Sequence, residues 1–152
     1  MKRPTRSGGS APSPSEALRS LAWFRYRVRC LLRFSERVSR SFGITPQQHQ
    51  LLLGVAGYTG RGWATISELA EFMQSRHNAV VGLVQRAAER GLVRKAQGEK
   101  DRRFVKVRLT RKGFTILDKI SRMNIAELRA LQFEIMKTPQ PRPRDIPAAQ
   151  GT

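Results

Sequence analysis

In the stretch "HNAVVGLVQRAAE", Asn78, Val81, Gly82 and Gln85 recur at helical spacing on the side away from Val80, Leu83, Val84 and Ala87. An Asn or Gln amide donates and accepts at once, which matches the N6 and N7 edge of adenine. Val packs on a thymine methyl, and Gly admits a close backbone. Gly inside a helix costs about 1 kcal/mol relative to Ala, so its place on a polar face asks for a reason. In the bland account Asn78 is a local cap and Gly82 merely tolerated, but the basic surroundings favour base contact.

Other chemistries find no residues to carry them. His49 and His77 fall on different predicted helices, with no Ser, Cys or carboxylate at a motif spacing beside either. One Cys and two His make a poor metal set, and "GRG" at Gly60 lacks the spacing and preceding strand of a nucleotide loop. No enzymatic activity and no cofactor are expected. Cys30, alone in the chain, excludes an intramolecular disulfide and reads as a buried inert thiol rather than a redox sensor.

Composition narrows the partner. A chain of 152 residues, 39% hydrophobic, makes one domain of ordinary core size. A net charge of +18 calls for a polyanion, either nucleic acid or an anionic membrane surface. The membrane fails on pattern, because the longest uncharged apolar run, Leu51 to Tyr58, is far short of the roughly 20 residues a span needs. The N-terminus has basic residues but no apolar h-region, so it is not a secretory signal, and the cytoplasm is the expected compartment. The charge has two sources: residues 1–40 hold 10 Lys or Arg against 2 acids, and residues 75–112 hold 12 against 3. For the first of these blocks a solvated face is the simpler reading.

The elements that must position the polar face follow from periodicity. Residues 1–14 and 138–152, rich in Pro with Ser and Gly, are expected to be disordered. A long helix over 15–42, capped by Ser15, stops at Gly43; Thr45 caps and Pro46 opens a second, and Gly57, Gly60 and Gly62 mark a loop. Ile66, Leu69, Ala70 and Met73 predict one short helix, and Val80, Leu83, Val84 and Ala87 another, with only "QS" between them. Such a pair suits the angled crossing of a helix-turn-helix. Gly91 ends the second helix, and "LVRKAQ" and "RFVKVRL" alternate on either side of the turn residues "GEKD". The helical spacing returns over 110–137. The predicted fold is mainly α with a small β wing: a winged helix-turn-helix over about 44–110 and a helical dimerisation lobe built from 15–42 and 110–137.

In order and spacing, "ITPQQHQLL", "TISELAE", "GLVQRAAERGLVRK" and "DRRFVKVRLTRKG" resemble the DNA-binding lobe of MarR-type transcriptional regulators. The resemblance implies a homodimeric, ligand- or stress-responsive regulator, usually a repressor, on pseudo-palindromic double-stranded operator DNA. It puts Arg76, His77, Asn78, Val81, Gly82 and Gln85 on the recognition helix in the major groove, and Asp101, Arg102 and Arg103 at a wing tip in the minor groove. Thr65, Lys95 and Lys100 are the other positions expected to meet DNA. Asp101 is expected to hold the Arg103 guanidinium; the plainer role is a turn aspartate. A crevice for a small aromatic or phenolic effector is implied between the lobes, with Trp23, Tyr26 and His49 as its candidate lining; aromatics on such a helix otherwise serve as dimer core. The family's further C-terminal helix has no full counterpart, since "ELRALQFEIMK" runs into prolines. Rival readings are a ligand-free architectural DNA-coating protein and a winged-helix adaptor that binds protein.

Overall fold

The computed structural model describes residues 14–97 and 104–137. Along the chain run α1 (Pro14–Ser41), α2 (Pro46–Leu53), a single π-helical turn (Gly54–Tyr58), β1 (Trp63–Thr65), α3 (Ile66–Phe72), α4 (His77–Glu89), β2 (Val93–Gln97), β3 (Val105–Leu109) and α5 (Arg111–Lys137). The long helix is described from Pro14, one residue before Ser15. "ELRALQFEIMK" is the continuous end of α5.

Two reciprocal caps set the helix starts. Thr45 Oγ1 accepts from the Gln48 backbone N–H at 3.1 Å while Gln48 Oε1 accepts from the Thr45 N–H at 3.1 Å, and Pro46 follows where a missing N–H costs nothing. Thr65 and Glu68 repeat the arrangement at the head of α3, at 2.8 and 3.3 Å. The turn between α3 and α4 spans Met73 to Arg76, longer than "QS" implies, because Gln74 takes a left-handed conformation at φ 48° that breaks the helix. Ser75 N–H then returns to the Ala70 carbonyl at 3.0 Å.

The sheet has the order β1-β3-β2, antiparallel throughout. Its third strand, β1, has no counterpart in the sequence reading, because three residues between Gly62 and the head of α3 are too few for alternation to register. Ala64 of β1 and Val107 of β3 pair across the sheet and point inward, where both are fully buried. They join Leu51, Leu52, Val55, Leu69, Val80, Val84, Ala87, Leu92 and Ile120 in one core.

The junction between wing and terminal helix is tight. Thr110 Oγ1 donates to the Gly91 carbonyl at 2.6 Å and accepts the Gly113 N–H at 3.0 Å, while the Thr110 N–H reaches the Leu92 carbonyl at 3.1 Å. A Cβ on Gly113 would stand 2.0 Å from the Leu92 carbonyl oxygen. Backbone cannot yield as a flexible side chain would, so Gly113→Ala is expected to destabilise by about 3 kcal/mol, at the top of the overpacking range. Urea denaturation reads this as a lower midpoint at unchanged slope; an unaltered midpoint would contradict the packing described.

Candidate nucleic-acid interface

Helix α4 divides sharply. Val80, Leu83, Val84 and Ala87 are buried, whereas His77, Asn78 and Gln85 are exposed and Val81 remains 45% accessible. Arg76 takes the N-cap position with no side-chain cap bond, as expected of a side chain without an acceptor. The Ala79 and Val80 N–H groups return to the Arg76 carbonyl, which leaves the His77 and Asn78 N–H groups to an outside acceptor, a favourable place for an anion.

Gly82 is only partly exposed, and its reason is local. A Cβ there would lie 3.3 Å from Nη1 of Arg86, so the missing side chain makes room for that guanidinium. Arg86 was not singled out from sequence, although it stands four residues on from Gly82, where side chains share a face. Gln85 is engaged at both ends: its amide donates to Glu89 Oε1 at 2.9 Å and accepts from Lys95 Nζ at 2.5 Å. It couples the helix to β2.

Thr65, His77, Val81 and Lys95 come together around a cleft of about 270 Å³ between α3, α4 and the wing. Phe104, 55% exposed, borders the same cleft and went unnoticed in the sequence, where it reads as one more apolar strand residue. Lys100, Asp101, Arg102 and Arg103 lie outside the described residues. On the outer face of the sheet, Trp63 has the Arg61 guanidinium 4.0 Å and the Lys106 ammonium 4.7 Å from its ring centroid. Arg61 also pairs with Glu68 at 2.5 Å. The Thr65 backbone N–H first, and then Arg61, hold the Glu68 carboxyl below its ordinary range. Among the described residues no group of three His, Cys, Asp or Glu could hold a metal ion, and no helix is long and apolar enough to cross a membrane.

Residues 42–103 match the model of the MarR family. The match covers the middle of the chain, under half of its length. In structure the chain is similar to a MarR family protein from Bacillus stearothermophilus, at TM-score 0.69 and 22% identity over 82% of this chain and 84% of that one. It is also similar to AbsC, a MarR family transcriptional regulator from Streptomyces coelicolor, at 0.63 and 23% over 82% of each. A MepR variant from S. aureus bound to an oligodeoxyribonucleotide matches at 0.60 and 17%, over 74% and 81%. Among curated proteins, none matches the chain in sequence.

His49 lines two crevices. One, of about 260 Å³, is walled by Leu31, Leu32, Leu53, Ile125 and Leu128; the other, of about 420 Å³, reaches Phe72 and Met73 of α3. Trp23 and Tyr26 line neither. They stack on each other at 5.4 Å on α1, where a hydrogen bond with the half-buried Cys30 raises the Tyr26 pKa. Ser35 Oγ lies 3.4 Å from His49 Nδ1 and accepts from Asn124 Nδ2 at 3.1 Å, which links α2, α1 and α5.

His49 is 3% exposed, and burial lowers its pKa from the ordinary 6.5. The unfolded chain then binds the proton more readily than the folded one, so stability is full above about pH 7 and falls as pH drops through 6.5 toward the lower folded value. The thermal midpoint is expected to decline between pH 7 and 5, and His49→Gln to remove that part of the decline. Identical pH profiles for the two proteins would refute it.

Proposed function

We propose that this protein is a sequence-specific, double-stranded-DNA-binding transcription regulator that acts as a homodimeric repressor in the cytoplasm. The observation that carries the reading is the exposed N-terminal half of α4, where Asn78 and Val81 stand beside Arg76 with Lys95 of the wing nearby. The residue types suit a major groove: Asn78 reads an adenine edge, Val81 meets a thymine methyl, and His77 and Arg76 take phosphates with the open helix start. Thr65 and Gln85 position this surface from below, through the α3 cap and through Lys95. Gly82 admits the Arg86 fork to the same face. Similarity to AbsC and to a DNA-bound MepR variant supports the assignment.

Dimerisation is supported by exposed apolar side chains on the terminal helices outside the crevice beside His49, with Leu18, Leu21 and Phe24 on α1 and Phe114 and Met123 on α5. A second copy would cover them. The crevice beside His49, mostly apolar with a few polar groups, suits a small aromatic or phenolic effector whose binding relieves repression.

An architectural protein would use the +18 charge without reading bases, and competition separates the two. A regulator prefers one site over random duplex by at least about a thousandfold. Asn78→Ala is expected to cost about 1 to 3 kcal/mol on that site and almost nothing on random duplex, whereas equal losses on both would sink the base-reading role.

The wing sequence "KDRR" allows a second test. With Asp101 orienting the Arg103 fork into the minor groove, Asp101→Asn weakens site binding although it adds positive charge, and Arg103→Lys weakens it because an ammonium is not a planar fork. A turn aspartate beside loose phosphate contacts gives the opposite sign. Asp101→Asn would then tighten binding and steepen the salt dependence by about one phosphate equivalent, as a salt titration of the three proteins reads directly.

A further inference from the structure

Outside the terminal helices, the exposed large apolar side chains among the described residues are Leu53, Tyr58, Val81 and Phe104. Leu53 belongs to the crevice beside His49, and Tyr58 packs on the Phe72 ring at a centroid distance of 5.2 Å. Val81 and Phe104 remain, 45% and 55% accessible, and both border the cleft between α3, α4 and the wing. Neither belongs to the core cluster. Single apolar residues on a surface need no explanation, but two that face one cleft mark a place to be covered.

The edge of this cleft has the opposite character. His77 and Lys95 bring N–H donors to it, and among the described residues that line it there is no carboxylate. Lys95 keeps its charge while it donates to Gln85, since an ammonium has three donors and that bond takes one. Apolar walls edged by donors match a chain in which a hydrocarbon-rich ring alternates with anions, and the sugar-phosphate backbone of DNA is such a chain. Position agrees with chemistry. With α4 in a major groove and the wing tip in the adjacent minor groove, the strand that separates the two grooves has to cross the space between helix and wing, which is this cleft. Phe104 immediately precedes β3 and so stands on the wing side of the gap, with Val81 on the helix side.

We propose that Phe104 packs on a deoxyribose of that strand, with His77 and Lys95 at the adjoining phosphates and Val81 left to the base edge inside the groove. Phe104 then positions the duplex whatever its sequence. The inference rests on α4 and the wing binding DNA, and the experiment reads the two separately. Binding of wild type and F104A is measured on two probes, a 30-bp random duplex and a duplex that wild type retains from genomic fragments. F104A is expected to lose at least about fivefold on both, the effect of returning an aromatic face to water, while the slope of log affinity against log salt stays the same because no phosphate contact is removed. Ribonucleotides are then placed one at a time in the retained duplex. At one position in each half-site the added 2′-hydroxyl meets the Phe104 ring, and there wild type is expected to lose at least about fivefold and F104A less than about twofold.

Equal affinity of F104A and wild type on random duplex, or a loss confined to the retained duplex, overturns the proposal and leaves base reading by α4 intact. A loss with a shallower salt slope makes Phe104 a support for the wing's cations, and a ribonucleotide that costs both proteins the same removes the sugar from the cleft; either result overturns the proposal as well. If wild type retains no preferred duplex, base reading by α4 fails, and the random-duplex comparison still decides whether Phe104 holds backbone. No binding of either duplex by wild type overturns both readings. Should F104A lose its cooperative thermal transition, F104Q, which has reach but no apolar face, takes its place and is judged by the same results.

Discussion

Burial of the inner face of α4 is the constraint on which the rest of the molecule depends. Val80, Leu83, Val84 and Ala87 sit against Leu51, Leu52, Val55 and Leu69, and each large aliphatic buried in this way contributes about 1.5 to 3 kcal/mol. With that anchorage complete, the outer face of α4 is free of any duty to the core. Leu92, Val93 and Val107 fasten the wing into the same cluster, and the Lys95 to Gln85 hydrogen bond ties its first strand to the outer side of the helix. Helix and wing are therefore joined both in the core and at the surface. Any displacement of α4 would have to break a contact that several elements share.

Charge plays two distinct parts in this fold. Arg90 and Lys112 are structural, since Arg90 fastens α4 to Gly43 and Gln48 while Lys112 donates to the Arg90 carbonyl at 2.9 Å. Arg61 and Lys106 spend theirs partly on the Trp63 ring, and Arg61 on Glu68 as well. The net charge of +18 thus overstates what is free to attract a polyanion. Arg76 and Arg86 on α4, Arg94 and Arg108 on the wing strands, Arg111, Lys119 and Arg129 on α5, and Arg25, Arg29, Arg33 and Arg40 on α1 are exposed among the described residues.

Much of the architecture was legible because its signals are local. Thr45-Pro46-Gln47-Gln48 and Thr65-Ile66-Ser67-Glu68 announce helix starts through cap chemistry, Gly91 announces a stop through its φ of 66°, and the apolar spacing of α4 separates its two faces. What escaped depends on contacts between distant positions. β1 is recognisable only once it pairs with β3, and the need for Gly113 appears only when α5 meets the Leu92 carbonyl. Within the site, Asn78 and Val81 were readable from periodicity. That Gln85 is already occupied by Glu89 and Lys95, and that Gly82 serves Arg86, required coordinates. Trp23 and Tyr26 of α1 do not line the two crevices that His49 of α2 lines, a separation set by how α1 packs on α2 and α5 rather than by spacing along α1.

Selection of genomic fragments on the purified full chain tests the central claim most directly, since it asks whether the outer face of α4 reads sequence and whether two copies read it together. The account predicts that the retained fragments share an inverted repeat whose half-sites lie about one helical turn, roughly 10 bp, centre to centre. It also predicts that Asn78→Ala selects the same spacing with relaxed identity at one position of each half-site. Fragments with no common sequence, or a single half-site retained as well as the repeat, would contradict it.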